Sequence, residues 1–191
     1  MSLNKSYTNK LRKHILDHAT KRRDVIKESG DALHHAKRAI FAMHRDNMKE
    51  AEVKLKACID ILRALDKKYK NSPAIKNEGS YKAAVEEYVE ASLFHQFLTS
   101  GKIGKVEGLD IHPEVFIAGL CDVPGELYRY AIKAATKKDI KTVDKCATTA
   151  QDIVGELTEF NLTKYLRTKF DQAKSAVNKL EYIVYEVNLR Q

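Results

Sequence analysis

Residues 48–69 read MKEAEVKLKACIDILRALDKKY. Apolar side chains recur at Met48, Ala51, Leu55, Cys58, Leu62, Leu65 and Tyr69, in steps of 3, 4, 3, 4, 3 and 4. That spacing keeps one face of an α-helix apolar over the whole stretch, whereas a half-buried strand needs every second residue apolar. The same helical period recurs on both sides, and nowhere does the chain sustain strand alternation. Upstream, a first helix is expected from about Asn4 to Asp46, with Ile26, Leu33, Ile40 and Phe41 at helical spacing in its later half. Downstream, Asn71-Ser72-Pro73 and Asn77-Glu78-Gly79-Ser80 carry turn chemistry. Further helices are expected over 81–99, 114–137, 139–159 (with Asp139 as cap) and 162–189. A polar loop with Gly104 and Gly108 leads to His112-Pro113 ahead of the fourth helix. The last helix carries Leu166, Phe170, Ala173, Val177, Leu180, Val184 and Val187, a coiled-coil-like seam that suits either the domain's own core or a partner subunit. The expectation is an all-α fold: one domain over residues 1–191, a bundle of about six to seven long antiparallel helices.

Composition agrees. Of 191 residues, 43% are apolar and 31% charged, and only 3 Pro and 8 Gly interrupt helices. The most apolar run, Val115 to Val123, contains Gly119 and Asp122 and falls short of the roughly 18–20 residues of a membrane span. The amino terminus lacks the apolar segment of a secretory signal. Cys58, Cys121 and Cys146 are odd in number and widely spaced, with no CxxC pair, which reads as reduced thiols rather than disulfides or a zinc site. A cytoplasmic protein is expected. The net charge is +8, and it is concentrated. Residues 1–30 hold Lys5, Lys10, Arg12, Lys13, Lys21, Arg22, Arg23 and Lys27 against Asp17, Asp24 and Glu28, which is five of the eight net positive charges. Such a cluster fits a nucleic-acid backbone, and equally a solubilising first helix.

The third helix is apolar almost all round, with Ala83, Ala84, Val85, Tyr88, Val89, Ala91, Leu93, Phe94, Phe97 and Leu98, so it should be buried. Yet Glu86, Glu87 and Glu90 share one arc of it. Carboxylates are costly to bury unless they are paired or bind a metal. On the fourth helix Asp122 and Glu126 are four apart and share a face, which Arg129 and Lys133 continue. Pro124-Gly125 lies between the two acids, where a proline must distort or start the helix. Taken singly, each acidic pair reads as a solvated face or an ion-pair ladder. Taken together, four oxygen donors from two helices suit Mg²⁺, or Mn²⁺, better than zinc or copper. A di-iron bundle would need Glu-x-x-His pairs, which the chain lacks. His34, His35 and His44 are expected to pack or cap locally. P-loop, GxGxxG and GxSxG motifs are absent.

Several segments resemble the translin–Trax family. Glu87-Tyr88-Val89-Glu90-Ala91 is similar to an EYVEA motif of Trax. Gly119-Leu120-Cys121-Asp122-Val123-Pro124-Gly125-Glu126-Leu127-Tyr128-Arg129-Tyr130 resembles the family's GxxxDxxGELxRy segment, with Pro124 as a departure. Lys37 to Arg45 is similar to a KRxIFxxHR stretch, and residues 166–186 to the family's last helix, while Asn188 to Gln191 depart from its usual ending. The resemblance runs in order from about residue 20 to 190. It implies a compact, prokaryotic-type, Trax-like member that assembles into a shell-like homo-oligomer, an octamer by family pattern. It implies binding of single-stranded RNA, with single-stranded DNA as a further ligand. It also implies Mg²⁺-dependent endoribonuclease activity, in which Glu87, Glu90 and Asp122 hold the ion and Glu126 completes the shell or orients the attacking water. Lys21, Arg22 and Arg23 are expected to hold phosphates. Tyr88 and Tyr130 are expected either to stack on bases or to pack in the core. The alternative is a translin-type shell that binds single strands without cutting them.

Overall fold

The computed structural model describes residues 3–70, 72 and 77–189. Six helices account for most of them: α1 Lys5–His44, α2 Met48–Lys68, α3 Gly79–Ser100, α4 Pro113–Thr136, α5 Ile140–Thr158 and α6 Lys164–Leu189. Among the described residues there is no strand. Each helix lies within two residues of its expected span. Asn71 and Pro73 of the expected turn, and Arg190 and Gln191 of the atypical ending, lie outside the described residues.

Caps explain the helix starts. Asn4 accepts from Tyr7 N–H, Asn47 from Glu50 N–H, His112 from Glu114 N–H and Asp139 from Thr142 N–H. Pro113 follows its cap at the first turn, where its missing N–H costs nothing. Glu78 caps α3 without a side-chain bond, because its carboxylate is committed to Arg22. Gly101 closes α3 in the left-handed region (φ 71°), donating to the Phe97 carbonyl. Helix α4 runs through Pro124 without a break, so the proline costs one ladder bond but does not begin a new helix.

The stripe read on α2 faces inward: Ala51, Cys58, Leu62, Leu65 and Tyr69 are buried. The α6 seam divides. Phe170, Ala173, Val177 and Leu180 are buried in the chain's own core, while Leu166, Val184 and Val187 are half-buried. Helix α1 packs on α2 and α3, and α4 packs on α5 and α6; α3 against α4 joins the two halves. The helices carrying the candidate acids therefore meet at the seam of the molecule. Gly119 on α4 makes that meeting close: a Cβ there would stand 2.7 Å from the Glu86 carbonyl oxygen. All three cysteines are free and buried, and burial pushes each thiol up to about 12. Among the described residues no helix is long and apolar enough to cross a membrane.

The first half of α1 is different. Its first buried residue is Val25, and residues 5–20 are exposed apart from half-buried Thr8. Tyr7, Leu11, Ile15 and Leu16 stand in solvent there.

Candidate metal centre

Helix α3 buries so much of its circumference because neighbours cover it on both sides. Val85, Val89, Phe94 and Phe97 enter the core, and Tyr88 packs with them rather than offering a stacking face. Glu90 is carried inward with them and is only 8% exposed. Glu87, one turn away, and Asp122 and Glu126 of α4 keep side chains 20%, 22% and 20% exposed. These acids are within reach of solvent without standing in it, which rules out a solvated acidic face.

Each acid except Glu90 has a basic neighbour. Lys37 of α1 lies 4.0 Å from Glu87 Oε2. Lys169 of α6 donates to Asp122 Oδ2 at 2.5 Å and pairs with Glu86 Oε1 at 2.7 Å, the oxygen that also accepts from Tyr165 Oη at 2.7 Å. His44 Nε2 is hydrogen-bonded to Glu126 Oε2, and Arg129 stands 4.0 Å from the same oxygen. The His44 ring packs against Phe94 and Tyr130, which also meet each other edge-on, and Lys133 donates to the His44 carbonyl at 2.7 Å. Lys133 also pairs with Asp46 at 2.6 Å, so the ladder expected along α4 stops at Arg129.

Glu90 makes no hydrogen bond or ion pair with the described residues. Burial, then the charges of Asp122, Glu87 and Glu126, push its pKa well above the ordinary carboxylate value. Burial also raises Glu87 against the opposing pull of Lys37, and Asp122 against its bond to Lys169. Burial alone would lower the Lys169 ammonium, but its bonds to Asp122 and Glu86 outweigh that and raise it. The cluster thus carries more negative charge than its lysines balance.

A hard divalent cation fits that deficit in donor chemistry: the uncompensated groups are carboxylate oxygens, and one of them is buried without a partner. The side chains are not gathered for it as they stand. Among the described residues no three His, Cys, Asp or Glu side chains form a group that could hold a metal ion. Mutual repulsion accounts for this, with Lys169 holding Asp122 and His44 holding Glu126.

The candidate phosphate contacts lie elsewhere. Residues 21–23 are roughly 22 Å along the α1 axis from Lys37. Arg22 forms a two-pronged pair with Glu78 at 2.9 and 3.0 Å, and Lys21 pairs with Asp17 at 2.6 Å. Among the described residues Arg23 has no ion pair and donates only to Thr20, at 3.4 Å.

Lys169 and Tyr165 were not singled out by any chemistry-bearing motif, whereas Glu86 shares the acidic arc of α3 and His44 lies in the family-like stretch Lys37 to Arg45. One signal was present. Lys169 follows Leu166 by three residues and precedes Ala173 by four, so it lies on the buried edge of the α6 seam. His44 likewise follows Ala36 and Ile40 at four-residue steps.

Comparison with known proteins agrees with this architecture. A sequence profile described as "Translin family" matches residues 20–191. No curated protein sequence matches the chain. Among solved structures, AfC3PO superposes with a TM-score of 0.88 at 25% identity, covering 97% of this chain and 98% of that one. An AfC3PO–duplex RNA complex gives 0.86 at 25% identity with the same coverage. Apo-NeC3PO gives 0.86 at 20% identity, covering 98% and 99%, and supports the fold alone. With its profile match over most of the chain and this shared helical fold, the chain belongs to the Translin family.

Proposed function

We propose that this chain is a subunit of a shell-like oligomer that binds single-stranded RNA and cuts it with Mg²⁺, or Mn²⁺, held by Glu87, Glu90, Asp122 and Glu126. The observation carrying this reading is Glu90: a carboxyl without a partner among the described residues, raised by burial and by three neighbouring acids on two helices. A bound divalent ion would supply a water of lowered pKa and neutralise charge on the phosphoryl oxygens. Asp122 and Glu90 would hold it from α4 and α3, with Glu87 at the solvent side. Glu126, fixed by His44, would orient the water. Lys37 stands where it can approach a phosphate.

RNA binding is supported by the superposition on the AfC3PO–duplex RNA complex, and duplex RNA joins single strands as a ligand to be tested. Oligomerisation is supported by the exposed Tyr7, Leu11, Ile15 and Leu16 on the overhanging part of α1. An octamer is the expected size, and light scattering that finds a monomer at micromolar concentration would sink it. The direct test of the enzyme is labelled single-stranded RNA incubated with purified protein in Mg²⁺ or in EDTA: fragments in Mg²⁺ alone are expected.

The binding-only reading has its own observation: the Lys169 ammonium is bonded to Asp122, and among the described residues no three acids are gathered around a metal space. Protein that binds RNA but never cuts it with Mg²⁺ or Mn²⁺ would decide for a translin-type shell.

Salt dependence tests the basic helix. Each phosphate neutralised contributes a slope of about −0.7 to log K against log salt for single strands. Arg23→Ala is expected to lose about one such unit, and Arg22→Ala less, since Glu78 already neutralises Arg22. Unchanged affinity and slope in both variants would place the strand elsewhere.

A further inference from the structure

We propose that Lys169 is a built-in counter-ion that competes with a divalent cation for Asp122, and that Glu86, held by Tyr165, is the berth that takes Lys169 when the cation binds. This rests on the acid cluster being a divalent site.

The lysine sits between two carboxylates with different roles. Asp122 faces the acid cluster, whereas Glu86 lies one residue before Glu87 and is the acid at the cluster's edge. The ammonium reaches both, at 2.5 and 2.7 Å, from a side chain only 17% exposed. The ammonium takes one acceptor site of Asp122 Oδ2 and sets a positive charge against the carboxylate, so another cation approaching Asp122 meets a like charge. A dication bound to that oxygen would stand next to a like charge, a costly arrangement where water is scarce. Either the metal stays out or the lysine moves.

The surroundings provide for movement. Tyr165 lies one turn before Lys169 on α6, and its hydroxyl donates to the same Glu86 oxygen that pairs with Lys169. That bond fixes Glu86 while the lysine's flexible stem swings. The Tyr165 ring, 5.5 Å from Nζ, adds a cation–π surface on the same side. Giving up Asp122 therefore costs Lys169 one of two bonds, not its whole charge balance.

This makes a prediction of sign. Removing the competitor should tighten divalent binding. Removing the berth should weaken it, because the ammonium is then left with Asp122 alone. A purely structural Lys169–Glu86 pair predicts loosened, weaker binding for both changes.

The test is Mn²⁺ binding to the full-length chain, read from free Mn²⁺ by electron paramagnetic resonance, with no RNA present. Lys169→Met is expected to lower Kd at least about fivefold and Glu86→Gln to raise it by a similar factor, the lower range of site-to-site couplings. Lys169→Arg, which keeps the charge, should stay near wild type. Should Lys169→Met fold poorly, Glu86→Gln combined with Lys169→Met keeps the net charge and must bind Mn²⁺ more tightly than Glu86→Gln alone. Shifts of the same sign in the two single variants, or no tightening in either variant lacking Lys169, overturn the proposal. If wild type binds Mn²⁺ but Lys169→Met does not tighten it, the counter-ion role alone fails. If neither binds Mn²⁺, the divalent site itself fails and takes this proposal with it.

Discussion

Replacing Glu90 with Gln is expected to reduce RNA cleavage about 100-fold or more, to leave strand binding intact, and to make the metal-free protein less sensitive to rising pH. Changes to groups that merely orient metal ligands already cost 10–100-fold in many sites, so loss of a proposed ligand should cost at least the upper end. Strand binding should survive because residues 21–23 lie roughly 22 Å along α1 from Lys37, the α1 residue beside the acid cluster. Asp122→Asn should behave alike for cleavage. Full cleavage by Glu90→Gln would end the proposal that Glu90 holds the metal.

The pH effect follows from the direction of the Glu90 shift. Burial and three neighbouring carboxylates raise its folded-state pKa above the ordinary value of 4.5. Between those two values the folded chain keeps a proton that the unfolded chain has released. The stabilisation is therefore complete below about pH 4.5, and is lost as pH rises through the folded-state pKa. Glu87 and Asp122 are raised in the same sense. Metal-free wild type should lose thermal stability on going from mildly acidic to neutral pH, and Glu90→Gln should flatten that loss. Mg²⁺ should restore stability at neutral pH by binding only the folded state. Melting curves across pH, with and without Mg²⁺, check all three statements; a wild-type profile rising towards neutral pH would contradict them.

The fold was largely legible because the stripes on α2 and α6 are one-dimensional patterns: helical spacing is local, and burial follows from it. The acids were legible for a related reason. A helix apolar nearly all round must be buried, so Glu87 and Glu90 on it had to be either paired or unusual. What the sequence did not disclose are contacts between distant segments. His44 meets Glu126 from 82 residues away, and Lys169 meets Asp122 from 47. Arg22 looked available for phosphate until Glu78, 56 residues on, was found against it. None of these pairings has a period or a motif, because side chains that converge across helix seams are chosen by the crossing geometry. That geometry depends in turn on small residues whose effect is invisible until the neighbouring backbone is placed.

Gly119 is that residue for the acid cluster, and Gly119→Ala should be destabilising although alanine is the better helix former. In a helix interior the exchange is worth about 1 kcal/mol in alanine's favour. Against it stands the packing. The added Cβ would lie 2.7 Å from the Glu86 carbonyl oxygen and 2.8 Å from Val89 Cβ and Cγ1. Neither neighbour can yield: one is backbone, and the other is a β-branched side chain stiff at χ1. Helices α3 and α4 must part, and such overpacking costs about 1–3 kcal/mol, occasionally more. The upper half of that range outweighs the propensity gain, leaving a net loss of about 1–2 kcal/mol, or roughly 2–8 °C in Tm for a chain of this size. Gly125, on the same helix, supplies the internal comparison: it is exposed and nothing lies within 4 Å of a Cβ there. Gly125→Ala should therefore stabilise by up to about 1 kcal/mol. The two alanines should move Tm in opposite directions. Parting α3 from α4 also separates Glu87 and Glu90 from Asp122, so Gly119→Ala should weaken Mn²⁺ binding beyond what its stability loss explains, measured well below Tm. A Gly119→Ala protein as stable as wild type would mean that the two acid-bearing helices can separate freely, and that their close crossing does not set the site.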